Sequence, residues 1–142
     1  MRKQIAVKAL IQKQNDFLVL HKTVEESKFD ASDSLYDLPG GRVEADEMMN
    51  DALIREVFEE TGIQIQQEQI QKEVNKVDVQ RKDGTSLHVI TYLVHVNTEK
   101  ITLSDEHEAY MWLNKSSDLY SLLPEYIQLL MENVISDDSN HV

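Results

Sequence analysis

A helix bounded by glycines is the feature that most constrains the fold of this sequence. Residues 45–61 contain neither glycine nor proline, whereas three of the four glycines in the chain, Gly40, Gly41 and Gly62, lie just before or just after them. Glycine adopts backbone conformations that other residues avoid, and it commonly follows the last turn of a helix. The pattern therefore predicts a helix over residues 45–61 that ends at Gly62.

Three glutamates lie on one face of this predicted helix. Glu56, Glu59 and Glu60 occupy positions i, i+3 and i+4, which places their side chains within about one turn. Such carboxylates repel one another, but a divalent cation would hold them ionised, and hard ions such as Mg²⁺ prefer oxygen donors. The alternative is an acidic face in solvent, although the helix dipole disfavours negative charge at this end. These residues alone are compatible with both interpretations.

The segment from Gly41 to Ile63 resembles the Nudix box. That pattern is Gly, five residues, Glu, seven residues, and then Arg-Glu-apolar-any-Glu-Glu-any-Gly-apolar. Every specified position is filled here, by Gly41, Glu47, Arg55, Glu56, Val57, Glu59, Glu60, Gly62 and Ile63. So many matches at fixed spacing would arise by chance in fewer than about one in a million chains of average composition.

The resemblance implies a site for Mg²⁺ or Mn²⁺ on the glutamate-bearing helix. Glu59 and Glu60 resemble metal ligands of the family, and Glu56 resembles either a ligand or the base that acts on the attacking water. The carbonyl of Gly40 resembles a further metal ligand.

The resemblance also assigns supporting roles within the box. Glu47 and Arg55, together with Gly41 and Gly62, resemble residues that stabilise it, and Arg55 is expected to bridge acidic groups. Arg42 follows the glycines, where family members often carry a cation near the substrate phosphates; an ordinary solvated arginine is the alternative.

Two further site residues are expected outside the box. Family members usually supply one more acid from a loop before the last strand, and Glu106 is the first candidate here, with Glu108 second; both could instead be surface acids. Between them, His107 is interpreted as a loop residue; a catalytic base is the alternative. Tyr36 is a candidate for stacking on a nucleobase, although an aromatic residue at such a position commonly belongs to the core.

The remaining sequence predicts an α+β domain in which hairpins are mixed with two helices. Alternating apolar residues predict a strand over residues 5–11, and a turn at Asn15-Asp16 connects it to a strand over 17–20. The other expected elements are a loop over 23–34, an extended segment over 35–38, strands over 63–65, 87–96 and 109–113, a turn at Asp83-Gly84, and a helix over 125–134. In helix 45–61, the expected sheet-facing residues are Leu53, Ile54, Val57 and Phe58. The resemblance implies a Nudix-type α/β/α sandwich, with a mixed, largely antiparallel sheet between helices.

Composition narrows the class of protein. The 142 residues carry a formal net charge of −12 and contain no cysteine, which excludes disulfides and thiolate metal sites and suits a cytoplasmic protein. The acidity makes nucleic acid an unfavourable partner, and no apolar run has the length of a membrane span. We expect one domain over residues 1–135 and a flexible tail over 136–142.

The resemblance implies hydrolysis of a phosphoanhydride bond in a nucleoside diphosphate linked to another group, by direct attack of water. A small substrate, such as a (deoxy)nucleoside triphosphate or a nucleotide sugar, suits the single short domain. Two alternatives are an RNA 5′-pyrophosphohydrolase, which the acidity disfavours, and a nucleotide-sensing domain without turnover, which the complete set of box acids disfavours. A homodimer is compatible with the resemblance, because many relatives dimerise.

Overall fold

The protein folds around one mixed sheet, as seen in a computed structural model that describes residues 3–23, 25, 34–81, 83–97 and 100–139. The strands are β1 (Lys3–Lys13), β2 (Asp16–Lys22), β3 (Tyr36–Asp37), β4 (Gly40–Arg42), β5 (Ile70–Gln80), β6 (Ser86–His95) and β7 (His107–Leu113). The helices are α1 (Met49–Thr61) and α2 (Glu125–Ser139), and short 3₁₀ helices span Gln67–Gln69 and Asp118–Leu122. No helix in the described part of the chain is both long and apolar enough to cross a bilayer.

The sheet is largely antiparallel. Its path runs β3-β2-β1-β6-β5, while β4 pairs with β1 and β7 pairs with β2. Among these pairs β1 and β6 are parallel, with Lys3 opposite Ser86 and Gln12 opposite His95, and the other pairings are antiparallel. The expected mixed, largely antiparallel sheet is confirmed.

Apolar residues cover both faces of this sheet, because successive side chains of a strand point to opposite sides. On one side Val7 and Ala9 of β1 share a buried cluster with Leu53 and Val57 of α1. On the other side Leu10 shares a second cluster with residues of α2, including Ile127, Leu130, Met131 and Val134. The two clusters make the α/β/α sandwich that the family resemblance implies.

Helix α1 differs from its prediction at its start and on one side. It begins at Met49 rather than at residue 45, because Asp46 has a left-handed φ of 68° and the Glu47 N–H donates to the Glu44 carbonyl in a turn. The end is as predicted, with Gly62 at a φ of 76° and its N–H bonded to the Phe58 carbonyl. Phe58 was expected to face the sheet, but it is 51% exposed, since the core is already filled by Leu53 and Val57.

Other predicted elements need smaller corrections. Residues 63–65 are not a strand: Ile63 and Ile65 are buried in the α1 cluster without pairing to the sheet. Strand β7 begins two residues earlier than predicted, and α2 continues to Ser139. Most of the loop predicted over residues 23–34 lies outside the described residues.

The two glycines with positive φ provide a test of the α1 terminus. At Gly84, which has a φ of 87°, an added Cβ would meet no atom within 4 Å, whereas at Gly62 it would lie 3.1 Å from Thr102 Cβ. We expect Gly84→Ala to lower the free energy of unfolding by about 1 kcal/mol through backbone strain alone. Gly62→Ala should cost at least about 2 kcal/mol because Thr102 must also move. Equal losses in urea denaturation would contradict the role given to Thr102.

Candidate active site

A cleft of about 530 Å³ opens on the α2 side of the sheet. Two rows of residues cross its floor. One row is polar and consists of Asn75, Thr91, Lys8 and Gly40. The next row is apolar, consists of Val77, Val89 and Ala6, and ends at Arg42. Glu60, Glu106 and His107 line the polar end, so the cleft combines a charged end with an apolar floor.

Glu60 is buried at this charged end and is held by the backbone of Gly40 in strand β4. It is 7% exposed, and its Oε1 accepts a 2.8 Å hydrogen bond from the Gly40 N–H. A Cβ at residue 40 would lie 2.2 Å from the Val7 carbonyl oxygen, so only glycine can approach β1 closely enough. Burial, together with the neighbouring Glu106, raises the pKa of Glu60 well above its ordinary value, although the Gly40 N–H and the Lys8 charge oppose the shift.

Glu56 occupies the space that a side chain at Gly41 would fill. A Cβ at residue 41 would lie 2.3 Å from the Glu56 carboxylate carbon, so a larger residue there would displace the Glu56 carboxylate. Burial raises the pKa of Glu56, the charges of Glu59 and Glu106 act in the same direction, and Arg55 acts against them.

Arg55 joins the carboxylates to the loop before α1. Its Nε and Nη2 donate to the two oxygens of Glu47 at 2.8 and 2.9 Å, and its Nη1 donates to Glu56 at 2.8 Å. Nη2 also donates to the carbonyl of Arg42 at 3.1 Å. Hydrogen bonding from Arg55 lowers the pKa of Glu47 to about 2, so this carboxylate stays charged. The bidentate fork thereby ties the loop to the helix.

Glu59 lies at the rim of this network. Its two carboxylate oxygens are each 3.4 Å from Arg55 Nη1, and its side chain is 54% exposed. The structure therefore places Glu59 near Glu56 through their shared arginine, but with more access to solvent than Glu60.

A bulge at the start of β7 determines which of the two candidate acids, Glu106 and Glu108, faces the cleft. The Lys22–His107 and His21–Ala109 pairs flank a register shift, so Glu108 is the extra residue. Its Oε1 lies 3.0 Å from His21 Nδ1, outside the cleft lining. Glu106 faces the cleft instead, and its backbone carbonyl accepts from the Thr23 N–H at 3.1 Å.

His107 is part of this site, contrary to its interpretation as a loop residue. It belongs to β7 and is 8% exposed, and burial lowers its pKa. One ligand atom from each of Glu60, Glu106 and His107 can be chosen so that all three lie within 4.8 Å of one another, a spacing compatible with one cation. The pairing of His107 with Lys22 of β2 shows that the strand begins at this residue, and no local sequence signal marks that start.

A second polar group in the cleft was also missed. Oδ1 of Asp37 accepts hydrogen bonds from Lys8 Nζ, from the Tyr126 hydroxyl at 2.8 Å and from the Leu38 N–H at 2.8 Å. Burial opposes ionisation of Asp37, but the Lys8 charge and hydrogen bond outweigh it and hold the pKa of Asp37 below its ordinary value. Lys22, which is 3% exposed, also lines the cleft. Two lysines thus lie at the carboxylate-rich end.

The two predicted substrate-binding residues fall in different places. Arg42 is exposed and lines the cleft beside Gly41. Tyr36 is not among the lining residues; it packs on the α2 cluster and meets the His21 ring edge-on, with 5.2 Å between centroids. Tyr126, whose hydroxyl bonds Asp37, lines the cleft instead.

Solved structures with similar folds span nearly the whole chain. A MutT protein from Methanosarcina mazei Go1 is 30% identical, with a TM-score of 0.76 and coverage of 99% of this chain and 96% of that one. The ORF135 protein of E. coli is 23% identical, with a TM-score of 0.71 and coverage of 99% and 94%. An Ap4A hydrolase from C. elegans is 20% identical, with a TM-score of 0.73 and coverage of 96% and 98%; these last two show likeness of fold.

The comparison of the sequence with protein families agrees with the comparison of folds. No curated protein matches the chain at a significant level. The NUDIX domain, however, matches residues 2–124, and these include the segment from Gly41 to Ile63 as well as Glu106 and His107. This chain therefore belongs to the Nudix hydrolases, a family that acts on nucleoside diphosphate derivatives.

Proposed function

We propose that this protein hydrolyses a phosphoanhydride bond in a small nucleoside diphosphate derivative, with Mg²⁺ or Mn²⁺ as cofactor. The observation that carries the proposal is the pair Glu60 and Glu106 at one end of the cleft, with Glu56 close enough to interact electrostatically with Glu106. Two of these carboxylates, Glu56 and Glu60, have pKa values raised by burial, an arrangement common at functional sites. If the cluster served stability alone, an apolar residue in place of Glu60 would cost less folding free energy than a buried carboxylate does.

The residues present fit a divalent cation. Oxygens of Glu60 and Glu106 converge within 4.8 Å together with a ring nitrogen of His107, and hard cations favour carboxylate oxygens. Glu60, Glu106 and Glu56 would hold the cation, with Glu59 and the Gly40 carbonyl as the further ligands that the family resemblance suggests. When bound, the cation would neutralise phosphate oxygens and lower the pKa of a water molecule.

The chain itself supplies the binding and proton-transfer groups. Lys8, Lys22 and Arg42 line the cleft and would attract the substrate phosphates, which a net charge of −12 would otherwise repel. A carboxylate oxygen of Glu56 or Glu106 accepts a proton from water as the water oxygen bonds to phosphorus. The bond from phosphorus to the bridging oxygen breaks, and the leaving phosphate takes its electron pair.

The apolar floor suits a base or sugar. Val77 lies opposite Val89, and Val79 lies opposite Leu87, so their side chains share one face of the hairpin. A cleft of about 530 Å³ is of the size that holds a small ligand. We therefore favour a (deoxy)nucleoside triphosphate or a nucleotide sugar as substrate, and the likeness to an Ap4A hydrolase adds dinucleoside polyphosphates to the set for testing.

A hydrolysis screen with Mg²⁺ and with Mn²⁺, in which ion-exchange chromatography separates each substrate from its nucleotide products, tests the proposal. The substrates are nucleoside triphosphates, nucleotide sugars, ADP-ribose, Ap4A and RNA with a 5′-pyrophosphate. Glu60→Gln is the blank, and Glu68→Gln, at an exposed position on the first 3₁₀ helix, is the matched control. We expect metal-dependent hydrolysis by the wild type and Glu68→Gln, reduced at least about a hundredfold in Glu60→Gln. Nucleotide binding without turnover would instead favour a sensor.

Glu60→Gln should stabilise the metal-free protein while abolishing its activity. The amide keeps an oxygen for the Gly40 N–H but carries no charge to bury. In EDTA at pH 8 we expect the Tm to rise by at least about 3 °C, which corresponds to about 1 kcal/mol for a domain of this size. Because the folded-state pKa of Glu60 is raised, its contribution to stability is present below about pH 4.5 and is lost as pH rises.

The difference in Tm between Glu60→Gln and the wild type should therefore grow from pH 5 to pH 8. Differential scanning calorimetry in EDTA measures it, with Glu68→Gln as the control that should follow the wild type. A Tm for Glu60→Gln at or below that of the wild type across this range would show that the buried carboxylate is not strained.

Arg55→Lys should weaken both folding and hydrolysis. Lysine keeps the positive charge but cannot donate to Glu47 and Glu56 together, so we expect a Tm lower by several degrees and hydrolysis reduced at least about tenfold. The lowered pKa of Glu47 contributes stability above about pH 4.5 that is lost as pH falls toward 2. The Tm difference between the variant and the wild type should thus shrink in acid; an unchanged Tm at pH 7 would contradict the bridging role.

A further inference from the structure

The strongest unexplained feature of the cleft is the ring of His107. Its side chain is 4% exposed, and its Nδ1 has no hydrogen-bond partner. Leaving a polar atom buried and unpaired costs about 1–3 kcal/mol, so such an atom calls for a partner.

The ring faces the carboxylates. Nδ1 of His107 lies 3.9 Å from Oε2 of Glu60, which is too long for a hydrogen bond. The other oxygen of Glu60, Oε1, is already bonded to the Gly40 N–H. Oε2 is therefore the Glu60 oxygen directed at the histidine, and a ligand atom of Glu106 completes a group whose members all lie within 4.8 Å.

The backbone fixes the direction in which the His107 side chain points. Strand β7 carries a register shift next to the Lys22–His107 pair, and the His107 N–H donates to the Ser104 carbonyl at 3.3 Å. Bulges re-aim side chains near functional sites. Here the shift leaves His107 on the cleft side with Glu106, while the Glu108 carboxylate lies beside His21.

We infer that Nδ1 of His107 is a direct ligand of the divalent cation, alongside Glu60 and Glu106, so that the site combines one nitrogen with carboxylate oxygens. Ligands about 2.0–2.3 Å from one ion lie no more than about 4.6 Å apart, and the 3.9 Å separation between His107 Nδ1 and Glu60 Oε2 satisfies that limit. This inference rests on the proposed function, since it concerns the same cation.

A nitrogen ligand changes which metal the site prefers. Imidazole binds Co²⁺ and other transition ions well, whereas Mg²⁺ favours a shell of oxygens. The site should therefore bind Mn²⁺ and Co²⁺ more tightly than Mg²⁺, and this preference should depend on His107.

The variant His107→Asn tests the role of the nitrogen as a metal ligand. It keeps a ligand atom at this place, because the amide oxygen of Asn can replace Nδ1. His95→Asn, at an exposed position at the end of β6, is the matched control. We expect His107→Asn to weaken Mn²⁺ and Co²⁺ binding about tenfold or more in calorimetric titrations. Mg²⁺ affinity should change less than about threefold, and the control should match the wild type in all three metals.

Electron spin echo spectroscopy of bound Mn²⁺ provides the direct readout. The wild type and His95→Asn should show the ¹⁴N modulation of a coordinated imidazole, which His107→Asn should lack. Wild-type protein grown with ¹⁵N-histidine should lose the ¹⁴N signal too, a result that does not depend on how well the variant folds. Absence of ¹⁴N modulation in the wild type, or its persistence in His107→Asn, would overturn the inference.

The same samples separate this inference from the proposed function. Hydrolysis of a nucleotide in Mg²⁺ without any imidazole signal would overturn the role of His107 and leave the reaction standing. An imidazole signal in a protein that hydrolyses none of the test substrates would support the ligand and refute the reaction.

Discussion

Repulsion among carboxylates is the constraint around which this site is built. Glu56, Glu59, Glu60 and Glu106 lie near one another, and the chain as a whole is strongly acidic. Three features offset the repulsion. The Arg55 fork bonds Glu47 and Glu56, the Gly40 N–H bonds Glu60, and the Lys8 charge lowers the pKa that burial raises. Strand β4 and helix α1 must both be in place before these contacts form.

The fold supplies these contacts by bringing distant parts of the sequence together. Strand β1 pairs with the glycine strand β4 and with β6, so Lys8, Gly40 and the apolar floor belong to one surface. Asp37 then holds Lys8 and the Tyr126 hydroxyl at the same oxygen, which links the sheet to α2 at the edge of the cleft. A bound cation would offset the repulsion that remains among the carboxylates. Without the cation the site lowers the stability of the fold, which is common at functional sites.

The Nudix box was identified by its resemblance to the family pattern. Local sequence signals were sufficient for most strands and for the end of α1, because periodicity and the glycine at the helix end act within a few residues. They failed at Asp46, whose left-handed backbone delays α1, and at Phe58, which is left outside a core already filled by its neighbours. The Lys8–Asp37–Tyr126 group could not be predicted, because its members lie on three separate elements. His107 was misassigned for a related reason: only the pairing with β2 shows that the strand begins there.

Anomalous X-ray diffraction from crystals grown with Mn²⁺ is the most direct test of the claim that these carboxylates form a cation site. We expect a manganese peak within about 2.5 Å of a carboxylate oxygen of Glu60, at the charged end of the cleft. An ordered cleft with no peak there, or manganese bound only at other acidic groups, would contradict it.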